Sequence, residues 1–553
     1  MDTTYFDNRV PNHTKFDKMI FVNQAGYLPD SEKKAVITVF CKTFQVMNTD
    51  GKPCFEGPVS HFGLDKTSGD DIYLADFSAF QTLGTYYIQT DDAHQSLHFS
   101  IDSKVYTDVF RATMKAYYFL RCGCALESAY AGPFTHGKCH DKTALLWEDR
   151  SVELEVSGGW HDAGDYGRYV TAAACALAHL LYAYKLYPTV FKDFHLHIPE
   201  SGNGIPDILS ECRQELEWIL KMQRKDGGVY HKATTQVHAP FVMPEEDTAQ
   251  MFVFPVCSLD TADFAAVCAL ASGIYEKYDE AFSKRLLEAA QLSAEWLAKN
   301  PEFLGFENPE GCNTGDYSEP TDVDNRFWAL AELYAATGMK EYHDALEKAS
   351  HKVFSKVGLG YHAVGGLGSL AYILCERQVD LKLKKRLENG FLKQAKKLAK
   401  VSDSCGYGAA MEESYYIWGS NQVLLKIGMI FAIADMIEKN NNYRKYAERQ
   451  IHYLLGVNAT GYSYVSGTGE FNIQNPHLRP AFADGIEECI PGMVSGGPNR
   501  YLMDPDAKLL IPKGTPPMKC FADDMGCYSL NEITIYWNSP AVFLFASLIC
   551  SKE

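Results

Sequence analysis

Most of this chain has the periodicity of α-helices, and that periodicity begins only after about residue 103. Apolar residues recur at i, i+3 and i+4 in segments such as LSECRQELEWILKMQ and RFWALAELYAATG, a spacing typical of helices that bury one face. About twelve such segments follow one another, mostly with short connections. Because successive helices with short loops pack as pairs, we expect a closed helical toroid or a solenoid over residues 104–553. The lack of a fixed repeat length disfavours a regular repeat array.

Long non-helical insertions interrupt the helices at 127–160, 224–258, 301–321, 401–414 and 456–530. Loops of this length inside a compact domain are usually functional, so together they are expected to build one rim of the toroid. The predicted helices cover 104–126, 164–186, 204–223, 261–277, 279–299, 322–337, 339–354, 366–376, 380–400, 415–438, 441–455 and 531–551.

The N-terminal region has a different pattern. Residues 19–103 contain short β-branched or aromatic runs, such as KKAVITVF and GTYYIQTD, broken by Gly, Asp, Asn and Pro. Period-2 runs with a turn signal every 8–12 residues predict an antiparallel sandwich of about seven strands. Residues 1–18 are polar and are predicted to form a flexible arm.

Composition limits the partners and the compartment. The net charge of −18 argues against binding to nucleic acid or to anionic membranes. No secretory signal and no run of about 18 apolar residues is evident. The 16 cysteines are scattered, many of them in apolar helical stretches, a pattern that a reduced protein tolerates. We therefore expect a cytoplasmic protein that does not span a membrane; the oligomeric state stays open.

The densest group of reactive residues is SGGWHDAGDYGRYV at 157–170, which brings His161, Asp162 and Asp165 within five positions. Two close carboxylates disfavour joint ionisation when buried, so that one can be tuned as a base. Aromatic rings beside carboxylates suit a sugar-binding cleft. The alternative is a polar turn before a helix, with Asp162 or Asp165 as its N-cap.

A second carboxylate lies far along the chain, in FADDMGCYSLNEITIYWNSP. Glu532 stands at the start of an apolar, aromatic segment, where a raised pKa would keep it protonated as a general acid requires. The alternative is a glutamate in the first turn of a helix, favoured by the helix dipole. An aspartate pair with a distant glutamate fits the two-carboxylate chemistry of glycoside hydrolysis.

Motifs along almost the whole chain resemble glycoside hydrolase family 9, the cellulase family, preceded by its immunoglobulin-like module. They are VNQAGYLP, SGGWHDAGDYGRY, NGIPDILSE, DGGVYHKATT, YYIWGSN, NPHLRP, GMVSGGPN and YSLNEITIYWNSP. The resemblance implies an immunoglobulin-like sandwich followed by an (α/α)6 barrel and an inverting mechanism. It implies Asp165 as the general base, Asp162 as the residue that helps hold the water, and Glu532 as the general acid.

The resemblance also implies sugar contacts from His477 and Arg479 in NPHLRP. Many family members have a second histidine where this chain has Leu478, so contacts in that subsite are expected to differ. The further substrate-binding candidates are Tyr528, Trp418, Tyr230 and His231, the last two as weaker rim positions. As alternatives, Trp418 could belong to the core and Arg479 to a structural ion pair.

Four residues form a candidate metal site: Cys122, Cys139, His140 and His161. Two thiolates and two imidazoles are a tetrahedral zinc set, and some family members carry structural zinc at matching positions. Cys124 is the rival to Cys122. The alternative is a set of buried reduced cysteines with a core histidine. Calcium also occurs in the family, but no ligands for it can be assigned.

The leading functional hypothesis is hydrolysis of β-1,4-glucosidic bonds in cellulose-type chains, with soluble cellodextrins as the expected substrate of an endoglucanase or cellodextrinase. One alternative is an exo-acting β-glucosidase or exo-β-glucosaminidase, for which Glu245, Glu246 and Asp247 are the residues to inspect. A non-catalytic sugar-binding protein and a hydrolase that uses zinc directly are more remote. Four protein ligands leave no open zinc position for water.

Overall fold

The computed structural model describes residues 19–550, and the predicted arm of residues 1–18 lies outside this range. The chain divides into two compact units that alternate along the sequence. One contains the described residues up to 116 and residues 395–537, and the other contains residues 117–394 and 538–550. The N-terminal sandwich thus shares a unit with a late part of the chain.

Within the described residues, seven antiparallel strands form the N-terminal sandwich, in the order β1-β2-β5-β4-β3-β6-β7. Strand β4 belongs to both sheets, because its first half pairs with β3 and its second half with β5. Val46 and Ile88 are register partners on β3 and β6 and are fully buried, as period-2 alternation predicts. The strands are β1 Ile20–Phe21, β2 Lys34–Ile37, β3 Thr43–Asn48, β4 Pro53–Leu64, β5 Asp71–Asp76, β6 Gly84–Thr90 and β7 Phe99–Ile101.

The VNQAGYLP motif joins the sandwich to residues 452–471 of the same unit. The Asn23 side-chain amide lies 3.0 Å from Nδ1 of His452. The Gln24 amide donates to the carbonyls of Gly461 and Phe471 at 2.9 and 3.1 Å, and accepts from the Phe471 amide at 2.8 Å. These buried contacts explain the motif as a structural junction, as expected for a module that packs on its neighbour.

Among the described residues, sixteen α-helices follow the sandwich. They are α1 Thr107–Phe119, α2 Ser128–Ala131, α3 Val170–Leu186, α4 Asp207–Lys221, α5 Ser258–Tyr275, α6 Glu280–Lys299, α7 Val323–Thr337, α8 Lys340–Ala349, α9 Gly365–Leu374, α10 Leu381–Asp403, α11 Ser420–Glu438, α12 Arg444–Leu454, α13 Arg479–Ala483, α14 Pro505–Leu510, α15 Tyr528–Asn531 and α16 Ile535–Cys550.

The long helices alternate between two kinds. Helices α3, α5 and α9 bury nearly every residue and α7 has no exposed residue, whereas α6 and α8 bury one face only. A helix that is apolar all round lies inside a large core, and an amphipathic helix covers it from outside. Helix α5 packs on α3, α6 and α7, and α7 packs on α8 and α9. This alternation of inner and outer helices agrees with the packing of successive helices in pairs that the sequence predicted.

Each predicted long helix has a counterpart, but three begin four to six residues later than expected, at Val170, Ser420 and Ile535. The helix predicted from residue 164 begins at Val170, because the backbone amide of Asp162 bonds to the Gly167 carbonyl at 2.9 Å and closes a turn. The helix predicted from residue 531 begins at Ile535. There the Asn531 side chain instead bonds to the Asn475 carbonyl and to Asp523, which holds the preceding segment in place.

A second, smaller sheet borders the aspartate turn, with the order β10-β11-β12-β8-β9. Its strands are β8 Ala144–Leu146, β9 Glu153–Leu154, β10 Arg168–Tyr169, β11 Lys232–Thr234 and β12 Phe252–Val253. By length and composition, α11 is the one described helix apolar enough to cross a membrane. In its most apolar 18-residue stretch, 72% is buried inside the protein, as in a core helix.

Candidate active site and metal cluster

The turn that carries both aspartates is fixed by backbone bonds to the extended residues 120–122. Trp160 forms an antiparallel bridge with Arg121, and the His161 amide donates to the Leu120 carbonyl at 2.7 Å. The Trp160 amide and indole donate to Glu215 and Glu211 of α4, at 2.5 and 2.9 Å. These bonds bring Cys122 beside His161 and hold the following residues in one conformation.

Glycine is required at two positions of this turn. A Cβ at Gly167 would lie 2.7 Å from the Tyr169 hydroxyl and 2.9 Å from Oδ2 of Asp165. Gly159 has a φ of 77° and would place a Cβ 2.8 Å from both Glu215 and Trp218. A left-handed backbone and such close approach are tolerated by glycine alone at little cost. These two glycines therefore allow the turn to pack closely against Asp165 and against Glu215 and Trp218 of α4.

Asp162 is almost completely buried, at 1% exposure. The Tyr317 hydroxyl donates to its Oδ2 at 2.5 Å, while Oδ1 has no hydrogen-bond partner within the described residues. Burial and, to a smaller extent, the nearby charge of Asp165 raise the pKa of Asp162 well above its usual value, although the bond from Tyr317 opposes this. Asp162 is thus an acid that holds its proton more tightly than a surface aspartate.

Asp165 is 6% exposed, and two side chains contact one of its oxygens. Nδ1 of His238 lies 3.1 Å from Oδ2, and the Tyr169 hydroxyl lies 3.4 Å from the same atom. His238 was missed from the sequence, although its loop, 224–258, was predicted to be functional. The two aspartates therefore differ in their surroundings: Asp162 favours the neutral form, while Asp165 contacts Tyr169 and His238.

Three tyrosine rings pack beside the aspartates; Tyr169 belongs to the aromatic residues of the predicted motif, whereas Tyr317 and Tyr361 were not predicted. The Tyr317 ring lies 4.7 Å from that of Tyr169 and 5.0 Å from that of Tyr361. The Gly315 amide donates to the Tyr169 hydroxyl at 2.8 Å. Tyr317 and Gly315 belong to the insertion 301–321, which was singled out only by its length. The aromatic residues bring this insertion to the aspartate turn.

The four predicted metal ligands come together and are all buried. The two thiol sulfurs and one nitrogen from each imidazole lie within 4.8 Å of one another. Nε2 of His161 is 3.3 Å from Nδ1 of His140 and 3.9 Å from the Cys139 sulfur. Ligands at the corners of a zinc tetrahedron are separated by roughly 3.3–3.8 Å. The cluster therefore matches a tetrahedral site, and Cys124 is not among its members.

The surroundings of this cluster favour a thiolate at Cys122, whereas the hydrogen bond with Cys122 and burial raise the pKa of the Cys139 thiol. Burial raises the pKa of the Cys122 thiol, but the bond from Cys139 and the charge of Arg168 outweigh it, so the pKa falls well below the usual value. Burial lowers the pKa of His140, but the bond to Asp247 and the Cys122 thiolate outweigh this and raise it to about 9. Nε2 of His140 lies 3.3 Å from Asp247, the outer carboxylate typical of metal-ligating histidines.

Glu532 belongs to the other compact unit and is half-buried. It follows α15 in an extended conformation, and its carbonyl accepts from the Gly496 amide at 2.9 Å. It also forms a backbone bridge with His477. The alternative of a glutamate in the first turn of a helix is wrong, because α16 begins three residues later. The hydrogen bond from Gly496 and the bridge with His477 together fix the position of the Glu532 backbone.

Most of the predicted sugar-binding residues of this unit surround Glu532. The His477 ring lies 5.8 Å from Tyr528 and binds the Met525 carbonyl through Nδ1 at 2.7 Å. Trp418 is 39% exposed and lies 5.4 Å from Tyr528, so the alternative of a core tryptophan is wrong. Arg479 is 5% exposed. An exposed indole beside a tyrosine and a glutamate is a surface suited to a sugar ring.

Two weaker rim candidates require correction. His231 is completely buried, with Nδ1 2.6 Å from Asp260 and Nε2 2.9 Å from the Asp316 carbonyl. Because both ring nitrogens are engaged within the protein, His231 acts as a structural residue between two segments. Tyr230 is 8% exposed, and its backbone bridges Val256.

Comparison with known proteins identifies the family. The sequence model described as Glycosyl hydrolase family 9 matches residues 106–545, and the Cellulase N-terminal ig-like domain matches residues 15–95. The chain belongs to glycosyl hydrolase family 9. It is therefore an O-glycosyl hydrolase, as the two carboxylate sites predict.

Family 9 relatives match over nearly the full chain. A cellodextrinase of Butyrivibrio fibrisolvens is 44% identical over 550 residues, which span 96% of this chain and 100% of that protein. A thermostable endoglucanase from Alicyclobacillus acidocaldarius has a TM-score of 0.91 at 33% identity, covering 96% of this chain and 99% of that one. A Zn-binding triple mutant of another family 9 endoglucanase has a TM-score of 0.89 at 32% identity, covering 94% and 99%. The predicted fold class, an immunoglobulin-like sandwich followed by an (α/α)6 barrel, is confirmed.

Proposed function

We propose that this protein is an inverting hydrolase that cleaves β-1,4-glucosidic bonds in soluble cellodextrins. The observation that carries the proposal is the asymmetric aspartate pair on one rigid turn. Asp162 has a raised pKa and an unpartnered buried oxygen within the described residues, while Oδ2 of Asp165 accepts a hydrogen bond from Tyr169 and lies within ion-pair distance of His238. Two interacting carboxyl groups whose environments differ take different protonation states and different roles.

The residues then divide the work of hydrolysis. Asp165 is the general base that accepts a proton from water, and Asp162 helps to hold that water. Glu532 is the general acid that protonates the leaving glycosidic oxygen. Inverting enzymes keep the acid and the base roughly 6.5–9.5 Å apart so that water fits between the base and the sugar. That separation remains a prediction for this chain.

The substrate is assigned by the relatives and by the site residues together. The cellodextrinase matches this chain along its whole length, which favours short soluble chains over insoluble cellulose. His477 and Arg479 would contact the sugar beside the scissile bond, and Trp418 and Tyr528 would stack on a neighbouring ring. The partner of this protein is accordingly a β-1,4-linked oligosaccharide.

The amino-sugar alternative loses its candidate carboxylates. Glu245 accepts from the Gly137 amide at 2.9 Å, Glu246 from the Met243 amide at 3.0 Å, and Asp247 holds His140. Each has a role in loop structure, so none is reserved for an ammonium group at C2. This favours glucose over glucosamine as the unit recognised.

We also propose that Cys122, Cys139, His140 and His161 hold a structural zinc ion. Two thiolates, two imidazoles and the outer carboxylate of Asp247 suit this metal. The ion would link residues 122–140 to the aspartate turn, and four protein ligands leave it no part in hydrolysis. No calcium ligands are assigned. All sixteen cysteines lie in the described residues and none forms a disulfide, which supports a reducing, cytoplasmic location.

Product analysis tests the proposed function. Cellopentaose and a chitosan pentamer are incubated with the enzyme, and the anomeric signals of new ends are followed by NMR. We expect α-anomers to appear first from cellopentaose, and no cleavage of the chitosan oligomer. Initial β-anomers would exclude inversion. Binding of cellopentaose without turnover would instead support the non-catalytic alternative.

A further inference from the structure

Lys232 is a fully buried lysine at the start of β11, and its ammonium group binds the insertion 301–321 at three points. Nζ donates to Oδ1 of Asn308 at 2.6 Å, to Oγ1 of Thr314 at 3.1 Å and to the Gly315 carbonyl at 2.8 Å. These bonds use all three donors of an ammonium group. Because the acceptors lie at both ends of the segment 308–315, Lys232 holds that segment as a closed loop.

The same insertion is tied to the strand that follows the aspartate turn. Lys232 of β11 and Tyr169 of β10 are register partners in the smaller sheet. The Gly315 amide donates to the Tyr169 hydroxyl at 2.8 Å, and the Asp316 carbonyl lies 2.9 Å from Nε2 of His231, the residue before Lys232. Two neighbouring strands therefore fix both the end of the aspartate turn and the position of the insertion.

A buried ammonium group with neutral partners is costly for folding. The three acceptors of Lys232 are uncharged oxygens, and the rings of Phe254 and Phe306 lie 4.6 and 5.2 Å from Nζ. Burial lowers the pKa of Lys232 to about 8, so its surroundings do not fully replace the lost water. An apolar side chain of similar length would avoid this cost. The lysine is therefore better explained by what it positions than by what its charge adds to stability.

The functional group nearest to this anchor along the insertion is the hydroxyl of Tyr317, two residues after Gly315. That hydroxyl donates to Oδ2 of Asp162 at 2.5 Å. Residues 307–318 form no helix or strand, so the position of Tyr317 depends on bonds between the insertion and the rest of the protein. The bonds from Lys232 are the buried ones closest to it in sequence that come from the sheet beside the aspartate turn.

We infer that Lys232 is a positioning residue for hydrolysis: its ammonium group holds the segment 308–315 and thereby places the Tyr317 hydroxyl on Asp162. This inference rests on the proposed role of Asp162 in holding the attacking water. Lys232 is completely buried, so it acts through the insertion and not on the sugar. A group that must be held within a fraction of an ångström requires such support from the residues behind it.

A double-mutant cycle in kcat on cellotetraose tests this role. K232M removes the three donors but keeps a side chain of similar length, and Y317F removes the hydroxyl that Lys232 is inferred to place. We expect K232M to lower kcat at least about 10-fold, with KM within about threefold. In the Y317F background, K232M should change kcat by less than about twofold, because the contact that it supports is already absent. A K232M variant with the wild-type kcat, or effects that multiply in the double variant, would overturn the inference.

Hydrogen exchange followed by mass spectrometry measures the insertion directly. The amides of residues 308–315 should exchange at least about 10-fold faster in K232M than in the wild type, and unchanged exchange would also overturn the inference. K33M is the matched control, because Lys33 is equally buried and donates to the carbonyls of Pro29 and Ser31 at 2.7 and 3.0 Å. K33M should leave kcat and the exchange of residues 308–315 unchanged. An equal loss of kcat in K33M would show a general effect of removing a buried lysine and would contradict positioning.

N308A decides the question if K232M does not fold, because Asn308 lies on the insertion and is only partly buried. It removes one acceptor of Lys232 and should lower kcat at least about threefold, but only where Tyr317 is present; an unchanged kcat would count against the inference. D162N is measured in parallel. If D162N keeps the wild-type kcat, the proposed role of Asp162 is overturned, and this inference with it. If D162N is impaired while K232M and N308A are not, only the role of Lys232 is overturned.

Discussion

Tyr317 donates a hydrogen bond of 2.5 Å to Oδ2 of Asp162 from a backbone with a φ of 45°. A non-glycine residue in the left-handed region costs about 1–3 kcal/mol and persists only where its surroundings enforce it. Here the rings of Tyr169 and Tyr361 pack on either side. Strain held by packing and directed at a carboxylate indicates that the position of this hydroxyl matters for function.

Replacing Tyr317 by Phe removes that hydroxyl and keeps the ring. We expect kcat on cellotetraose to fall about 10- to 100-fold, because Asp162 loses the donor that orients it. Y182F is the matched control, since the Tyr182 hydroxyl donates at the same distance to the buried carboxylate of Glu332. Y182F should lower the thermal midpoint but not kcat; an equal loss of kcat in both variants would contradict the role of Tyr317.

Metal content distinguishes a cysteine of the cluster from a nearby cysteine outside it. We expect about one zinc ion per chain in the wild type and in C124S, and none in C139S, because Cys139 lies within the cluster and Cys124 does not. Elemental analysis of freshly purified protein measures this directly. C139S should also unfold at a lower temperature, since the ion links two segments of the chain. Wild-type protein without zinc would refute the site.

Glu319 is expected to make the protein less stable as the pH rises. Burial and the charges of Asp263 and Asp324 raise the pKa of Glu319 to about 9, against 4.5 unfolded. Between pH 4.5 and about pH 9, Glu319 is protonated in the folded state but ionised in the unfolded state. The contribution of Glu319 to stability therefore falls as the pH rises through this range. E319Q should be more stable than the wild type at pH 7, by up to about 3 kcal/mol.

Thermal unfolding from pH 4 to pH 9 checks this prediction. The difference between E319Q and the wild type should vanish near pH 4 and grow toward pH 9. E310Q, which changes an exposed glutamate of the same insertion, should show no such trend. A constant difference across the range would show that Glu319 is not protonated in the folded state.

Glu32 is expected to have the opposite dependence. Burial raises its pKa, but the bidentate contact with Arg449, at 2.7 and 3.1 Å, outweighs burial and lowers the pKa to about 2. Its contribution to stability is therefore present above pH 4.5 and is lost as the pH falls toward 2. E32Q should lower stability at pH 7 by about 1–3 kcal/mol and by less at pH 3.

The control for Glu32 is the lysine on its other side. Lys34 lies 3.0 Å from Glu32 with a third of its side chain exposed. K34M should change the unfolding midpoint much less than E32Q, because exposed pairs contribute little. If both substitutions lower the midpoint equally, the ion pair between Glu32 and Arg449 does not contribute more to stability than the exposed pair with Lys34.

The sequence was sufficient for the fold class and for the metal cluster. Helical periodicity is a local property, so the long helices could be predicted from single segments. The cluster could be predicted because its ligands are rare residue types in two short motifs. Helix ends were less certain: the start of α3 depends on the bond between Asp162 and Gly167, which competes with helix formation.

The partners of the aspartates could not be predicted. Tyr317 is 155 residues from Asp162 and donates from a strained backbone, while His238 reaches Asp165 from another insertion. Neither residue carries a local pattern, because their proximity results from the packing of loops on the helices. The same holds for His231, whose burial depends on Asp260 and on the backbone of Asp316.

The anchored loop at 238–247 has a consequence for how this protein can diverge. Its contacts with Asn313, Tyr166, Gly137 and His140 fall at fixed spacings along the chain. An insertion or deletion of one residue between any two of them would break an anchor. Relatives with longer or shorter binding clefts are therefore expected to differ in length elsewhere, at exposed loop tips where chain length is not constrained.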